Sequence, residues 1–165
     1  FQYYLHSPHA FDEADGQRFE VAGDSARCLI ELLTPRGLEV TRFEGYDPPI
    51  RPPYDEQIRE HHLKAETAEP AERGEFIAVI GAARAGDETA GRAEHEQRPA
   101  GHALRVALPD GEAIVLLRTG EGELAAWGLS TDGSIAAARL DADGQPVGFF
   151  GTGGAEVRWR GNAAE

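Results

Sequence analysis

The six histidines are the side chains of this chain with the most specific chemistry, because imidazole binds metal ions and transfers protons near neutral pH. His6 and His9 are close enough in sequence to share an ion such as zinc, but Pro8 lies between them and a third ligand is not evident nearby. In a strand, His61 and His62 would point to opposite faces and could not bind the same ion. The sequence therefore predicts no metal site.

Two further histidines and one acidic turn have simpler explanations than a site. His95 and His102 fall in or beside a polar stretch that predicts a surface loop, so we expect both to be solvated. Asp141 and Asp143 precede a glycine as at the start of a calcium loop, but the terminal Glu and the flanking helices of that motif are missing. A hairpin turn accounts for these residues without an ion.

The single cysteine, Cys28, excludes an internal disulfide and a thiolate metal cluster. It lies in an apolar run, which favours a buried structural thiol. Four aromatic residues could stack on sugar rings, although large aromatic residues of a sandwich more often lie in its core. They are Tyr46, Tyr54, Trp127 and Trp159.

Catalytic motifs are missing from the sequence. It has no Gly-x-Ser-x-Gly nucleophile elbow, and the Gly-rich residues 151–154 are not followed by a helix that could bind phosphate. Paired carboxylates are uninformative in a chain with 29 acidic side chains. We therefore assign no catalytic residue and no cofactor to this chain.

The amino-acid composition limits the kinds of molecule that this chain could bind. The chain has 165 residues with 16 basic and 29 acidic side chains, a formal net charge of −13 that opposes nucleic-acid binding. A hydrophobic content of 41% is enough for a packed core. No apolar run approaches the roughly 20 residues of a membrane-spanning helix.

Period-two hydrophobic patterning dominates the sequence and predicts strands rather than helices. The second to fourth of the early strands are joined by short turns, which predicts an antiparallel meander. These early strands are residues 1–6, 17–21, 27–33 and 38–43.

The middle of the chain mixes strands with irregular segments. Four prolines within residues 45–57 predict an extended excursion. Residues 58–67 are interpreted as a strand, and the apolar run 76–80 as a strand buried on both faces. Residues 82–101 have no apolar face and predict a mobile surface loop.

Asp-Gly turns separate the strands of the last third into successive hairpins. These strands are residues 103–108, 113–118, 124–129, 135–140, 147–150 and 157–159. A propeller is disfavoured because no period near about 40 residues recurs. We predict an all-β fold: a single antiparallel β-sandwich domain, 1–165, of about eleven or twelve short strands with a mobile loop near residues 82–101.

Three stretches of the first half of the chain together form a recognisable pattern. The first is Phe1-Gln-Tyr-Tyr-Leu-His6-Ser7, and the second is the proline-bearing Glu44-Gly-Tyr-Asp-Pro-Pro49. The third is His62-Leu-Lys-Ala-Glu-Thr67, followed by the apolar strand that ends Phe-Ile-Ala-Val-Ile80. In order and spacing these stretches resemble the C-terminal β-sheet region of heparinase II/III-like polysaccharide lyases. The resemblance covers about residues 1 to 80, and the later hairpins carry no motif of the family.

The resemblance implies an origin in an enzyme with an α/α toroid followed by β-sandwich layers. Such enzymes cleave uronic-acid-containing polysaccharides by β-elimination, with a base, a group that neutralises the carboxylate, and an acid. In the family, those groups and any metal site lie in regions that would precede Phe1, so no catalytic or metal residue, His6 included, is assigned here. A periplasmic or extracellular location is what the family implies.

We therefore expect a non-catalytic C-terminal fragment of a larger chain. Its partners would be the upstream toroid and sandwich strands of the same protein, with polysaccharide bound through the parent. Phe1, Tyr3 and Leu5 alternate on one face of the first strand and are the candidate interface to the missing domain. The alternative is a free-standing carbohydrate- or protein-binding β-module with an exposed aromatic platform.

Overall fold

The computed structural model describes residues 1–46, 60–70, 72, 74–88, 91–153 and 156–163. All regular structure in these residues is β-strand, and every strand pairing is antiparallel. The prediction of an all-β fold of short antiparallel strands is confirmed. The chain divides into two compact units, residues 1–89 and 90–165. Its assignment to one sandwich domain stays a prediction.

The first unit contains two sheets. Its strands are β1 (Gln2–Ser7), β2 (Asp12–Asp15), β3 (Arg18–Ala22), β4 (Ala26–Thr34), β5 (Glu39–Glu44), β6 (His61–Glu66) and β7 (Ile77–Arg84). One sheet has the order β1-β6-β5, and the other has the order β2-β3-β4-β7.

The core of the first unit takes side chains from both of its sheets, as in a two-layer sandwich. Alternate residues of β6, Leu63 and Ala65, are fully buried there. Because side chains alternate along a strand, His62 and Lys64, which precede these two residues, point to the other face of the same sheet. The other buried members are Phe11, Phe19, Ile30 and Leu32.

The second unit also contains two sheets, ordered β14-β13-β10-β9-β8 and β11-β12-β15-β16. Its core is rich in alanine and again draws on both sheets: Ala103, Ile114, Leu116, Ala136 and Ala138 from one, and Leu124, Ala126 and Leu129 from the other. Its strands are β8 (Ala93–Arg98), β9 (Gly101–Leu108), β10 (Gly111–Arg118), β11 (Leu124–Ala126), β12 (Leu129–Thr131), β13 (Ile135–Asp141), β14 (Pro146–Thr152), β15 (Val157–Trp159) and β16 (Asn162–Ala163).

The predicted three-strand meander is wrong at its third strand. Strands β3 and β4 pair as expected, but β4 pairs on its other side with β7, whereas β5 pairs with β6 in the other sheet. The turn after β4 therefore carries the chain from one sheet to the other. Strand order here follows which faces must be buried together, not which strands are adjacent in sequence.

The structure also corrects the predictions for the polar and apolar middle of the chain. The apolar run in β7 is not buried on both faces, because β7 is an edge strand in which Ile80 is 54% exposed. The loop expected over residues 82–101 is interrupted by β8, which pairs with β9 along its length. An edge strand needs backbone partners on one side only, so this polar segment forms a strand without an apolar face.

The predicted strand over residues 124–129 is a hairpin instead. Trp127 and Gly128 both have positive φ angles, of 46° and 88°, and reverse the chain between β11 and β12. The hydrophobic pattern continues through this turn because Trp127 packs against the core of the second unit. Periodicity alone therefore missed the reversal.

Candidate functional site

The register of the three-stranded sheet places three rings in one row across it. His6 of β1 lies opposite His62 of β6, which lies opposite Phe43 of β5. The row lies on the face turned away from the core, because the adjacent Leu5 and Leu63 point into the core. Backbone pairing therefore brings together two histidines that are far apart in sequence.

Aromatic rings bury His62 on this otherwise polar face. Phe43 stacks on the imidazole with a centroid distance of 4.8 Å and an interplanar angle of 12°. The rings of His6 and Tyr46 meet it edge-on, at centroid distances of 4.6 and 5.2 Å. Only 3% of His62 is exposed, so its imidazole is held in one place.

A carboxylate completes the cluster. Glu60 lies just before β6, and its Oε2 is 3.8 Å from Nδ1 of His6. One potential ligand atom from each of His6, Glu60 and His62 lies within 4.8 Å of the others. Two imidazoles and one carboxylate form a donor set that suits a divalent transition metal.

Tyr46 also contacts the carboxylate of Glu60. Its hydroxyl donates a hydrogen bond to Glu60; this bond, then desolvation and the negative charge of Glu60, raise the pKa of Tyr46. The phenol therefore stays protonated and remains a donor near neutral pH. Tyr46 thus touches both Glu60 and the imidazole of His62.

The buried imidazole has an unsatisfied atom. Nε2 of His62 is inaccessible to solvent and has no hydrogen-bond partner in the part of the chain that the structure describes. Buried polar atoms are nearly always paired, so an unpaired one needs an explanation. His62 also helps to line an open cavity of about 300 Å³, together with Ala10, Phe11, Arg42, Phe43, Glu44 and His61.

The structure separates the two histidine pairs that sequence spacing suggests. His9 does not join His6; its ring lies beside Gly23. His61 and His62 belong to opposite faces of β6, as the strand period requires. The two histidines that do meet, His6 and His62, lie on different strands. The sequence indicated this only indirectly, since residues 1–6 and 58–67 are both predicted strands with a histidine near one end.

The expectation of solvated histidines in the second unit is wrong. His102 is 2% exposed, and its Nδ1 lies 3.0 Å from Nε2 of His95. The two rings are stacked with a centroid distance of 5.2 Å. The expectation failed because it rested on a surface loop, whereas both residues lie in paired strands.

The acidic turn behaves as predicted. The Asp141 carboxylate accepts hydrogen bonds from the backbone N–H groups of Asp143 and Gln145, and Gly144 has a φ of 73°. This is the chemistry of a hairpin turn, and it joins β13 to β14.

The single thiol is less buried than expected, and two of the four aromatic residues pack against a core as expected. Cys28 is half-buried against the first core, and burial raises the pKa of its thiol, which disfavours the nucleophilic thiolate. Trp127 and Trp159 pack against the second core. Tyr46 instead covers His62, and Tyr54 lies outside the described residues.

The three candidate interface residues are divided between surface and core. Phe1 is 46% exposed, while Tyr3 and Leu5 pack against the first core. Within the described residues β1 pairs only with β6, so its other edge is open. Tyr4, on the opposite face from Tyr3, is 43% exposed. The interface role of these residues stays a prediction.

Comparison with protein-family models, curated proteins and solved structures gives no match to this chain. Among the described residues, no helix has the length and apolar character needed to cross a membrane.

Proposed function

We propose that this chain is the non-catalytic C-terminal β-sandwich portion of a heparinase II/III-like polysaccharide lyase. The parent enzyme would cleave uronic-acid-containing polysaccharide by β-elimination, and this portion would support the cleft formed by its upstream domains. The observation that carries the proposal is the edge of β1 that no other described strand covers, which is flanked by the exposed rings of Phe1 and Tyr4.

An open strand edge presents unpaired backbone N–H and C=O groups that favour pairing with another strand. Tyr3 and Leu5 pack against the core beneath β1 and anchor the strand to it. Phe1 and Tyr4 add apolar surface that a neighbouring segment could cover. These properties suit a surface completed by further protein.

Charge also favours a supporting role. The substrate of such a lyase is a polyanion, and a chain with a net charge of −13 repels it at long range. The parent would therefore bind polysaccharide through its upstream domains. This chain would act by fixing the position of the elements packed against β1.

Hydrogen exchange followed by mass spectrometry tests the proposal on this chain and on a longer chain that includes the upstream coding sequence. We expect the amides of β1 to exchange at least about tenfold more slowly in the longer chain, because their edge is covered. The longer chain should also produce unsaturated uronate from polysaccharide, measured by its ultraviolet absorbance. Equal exchange of β1 in the two chains would overturn the supporting role.

A matched pair of substitutions locates the surface. Tyr4→Ser in the longer chain should lower lyase activity, whereas Ile80→Ser should not, because Ile80 is a similarly exposed apolar residue on an edge strand of the other sheet. Equal losses from both substitutions would argue against a specific surface at β1.

The alternative, a free-standing binding module, is tested by a glycan array probed with this chain alone. An aromatic platform for sugar needs two coplanar rings on an exposed face, and the nearly parallel pair Tyr3 and Phe76, 5.7 Å apart, is half-buried. We therefore expect no glycan binding. Binding that is lost on Phe76→Ala would favour the module and overturn the supporting role.

A further inference from the structure

We propose that His6, Glu60 and His62 form a binding site for a divalent transition-metal ion of the Zn²⁺ type. The site would link β1 to β6 through side chains, on the face of the sheet that points away from the core. It does not depend on the proposed function, because it rests on the geometry of these three residues alone.

The types of donor atom select the class of ion. Imidazole nitrogen suits zinc and its neighbours in the transition series, and a carboxylate oxygen completes a set of three protein ligands. Calcium and magnesium favour sets made of oxygen atoms, which this cluster does not offer. Three protein ligands leave a fourth tetrahedral position for water or another small ligand.

The distances require a small closure. At zinc–ligand bond lengths of about 2.0–2.2 Å, the ligand atoms of a tetrahedral site lie roughly 3.3 Å apart. The present donor atoms lie within 4.8 Å of one another. The side chains of His6 and Glu60 are 55% and 37% exposed, so they can rotate towards an ion while His62 stays fixed.

The state of His62 is the second, independent indication of a ligand. Only 3% of His62 is exposed, so the residue is 97% buried. Its Nε2 has no hydrogen-bond partner within the described residues. Leaving such an atom unpaired lowers stability, and replacing the imidazole with an apolar ring would remove that cost. A bound ion gives the polar ring a function at this position.

The surroundings provide the support that metal ligands usually have. Tyr46 donates a hydrogen bond to Glu60, which orients the carboxylate, and Phe43 stacks on His62, which orients the imidazole.

Isothermal titration of the metal-free 165-residue chain with Zn²⁺ tests the site. We expect one ion bound at this site, with the affinity lowered at least about tenfold by His6→Ala and by Glu60→Gln, since loss of even an outer partner of a ligand costs about 10–100-fold. Both side chains are partly exposed, so neither substitution should unfold the chain. Mg²⁺ should not bind there.

Matched controls separate the site from other imidazoles. His9→Ala removes the histidine nearest to His6 in sequence, and His95→Ala breaks the histidine pair of the second unit. Each should leave the high-affinity Zn²⁺ binding unchanged. Absence of Zn²⁺ binding, or binding that survives both His6→Ala and Glu60→Gln, would overturn the proposal.

A further variant tests His62 itself. His62→Phe should abolish the binding while the circular dichroism spectrum stays that of the parent chain. Tetrahedral Co²⁺ bound to the parent chain should show visible absorption bands that His6→Ala removes. If His62→Phe is folded and still binds Zn²⁺ as tightly as the parent chain, the proposal is wrong.

Discussion

The two units of the chain each bury one histidine, and the two imidazoles are in different states. His102 of the second unit is 2% exposed and lies 3.0 Å from a nitrogen of His95. His62 of the first unit is 3% exposed, and its Nε2 has no hydrogen-bond partner within the described residues. The two imidazoles are therefore buried to the same extent but differ in the hydrogen bonding of their nitrogen atoms.

The difference teaches that burial alone does not identify a functional histidine. In the second unit the two rings pair with each other, which is sufficient to explain why they are retained in a packed region. In the first unit His62 adjoins a second imidazole and a carboxylate and keeps an unpaired nitrogen. The arrangement of donors around the ring distinguishes a structural histidine from a candidate ligand.

The cores that surround these histidines also differ. The first contains the large rings of Phe11 and Phe19, whereas half of the ten buried residues in the second core are alanine. Each core contains a fully buried leucine on a central strand. Leu63 lies in β6, the strand that carries His62, and Leu116 lies in β10, the middle strand of the five-stranded sheet.

The largest expected effect comes from shortening these two leucines. Leu63→Ala and Leu116→Ala should each lower the free energy of unfolding by about 2–5 kcal/mol, because each leaves a cavity in a core. Hydrogen exchange resolved by peptide would assign the loss to the first or second unit. Val147→Ala, at a residue that is 62% exposed, is the control and should have little effect.

An intermediate effect would test the comparison of the histidines directly. In metal-free buffer, His102→Phe should lower the free energy of unfolding by about 1–3 kcal/mol, because it removes the partly buried hydrogen bond between His102 and His95. His62→Phe should leave it unchanged or raise it, because the ring is kept and an unpaired nitrogen is removed. Chemical denaturation measures both, and equal losses would break the comparison.

The smallest effect is expected at the exposed end of the sheet that carries His62. Hydrogen bonds from Lys64 and then from Gln2 lower the pKa of Glu66. A lowered folded-state pKa stabilises the protein above the unfolded pKa, and this contribution disappears as the pH falls through the folded value. Glu66→Gln should therefore lower the thermal midpoint slightly near neutral pH, and this loss should become smaller as the pH falls below the ordinary glutamate pKa of about 4.3.

Glu39→Gln is the matched control for that prediction. Glu39 lies directly opposite Glu66 in the neighbouring strand, where like charges repel. Its substitution makes the same change in charge but should not lower the midpoint near neutral pH. A loss as large as that of Glu66→Gln would show that net charge, rather than the local hydrogen bonds, causes the effect.

Local patterning was sufficient to predict most strands, because alternation and Asp-Gly turns are properties of neighbouring residues. The hairpin at Asp141 is such a case, and the stabilising hydrogen bonds lie within the turn itself. The strand β8 was missed because its polar residues show no apolar face and its pairing with β9 provides the order. The turn at Trp127 was missed because a core residue interrupts the usual composition of a turn.

The candidate site could not be predicted, because its residues meet only through long-range pairing. His6 and His62 are each unremarkable in their own strands, and the register between β1 and β6 makes them neighbours. Glu60 then joins them because it immediately precedes β6.

The amino-acid sequence by itself determined the β class of the chain and the positions of its tightest turns, since both depend on interactions between residues close in sequence. Tertiary structure decided which strands share a sheet and which histidines are buried or face each other. The physical reason is that apolar faces must be buried together, and many strand pairings meet that requirement equally well until the whole core is assembled.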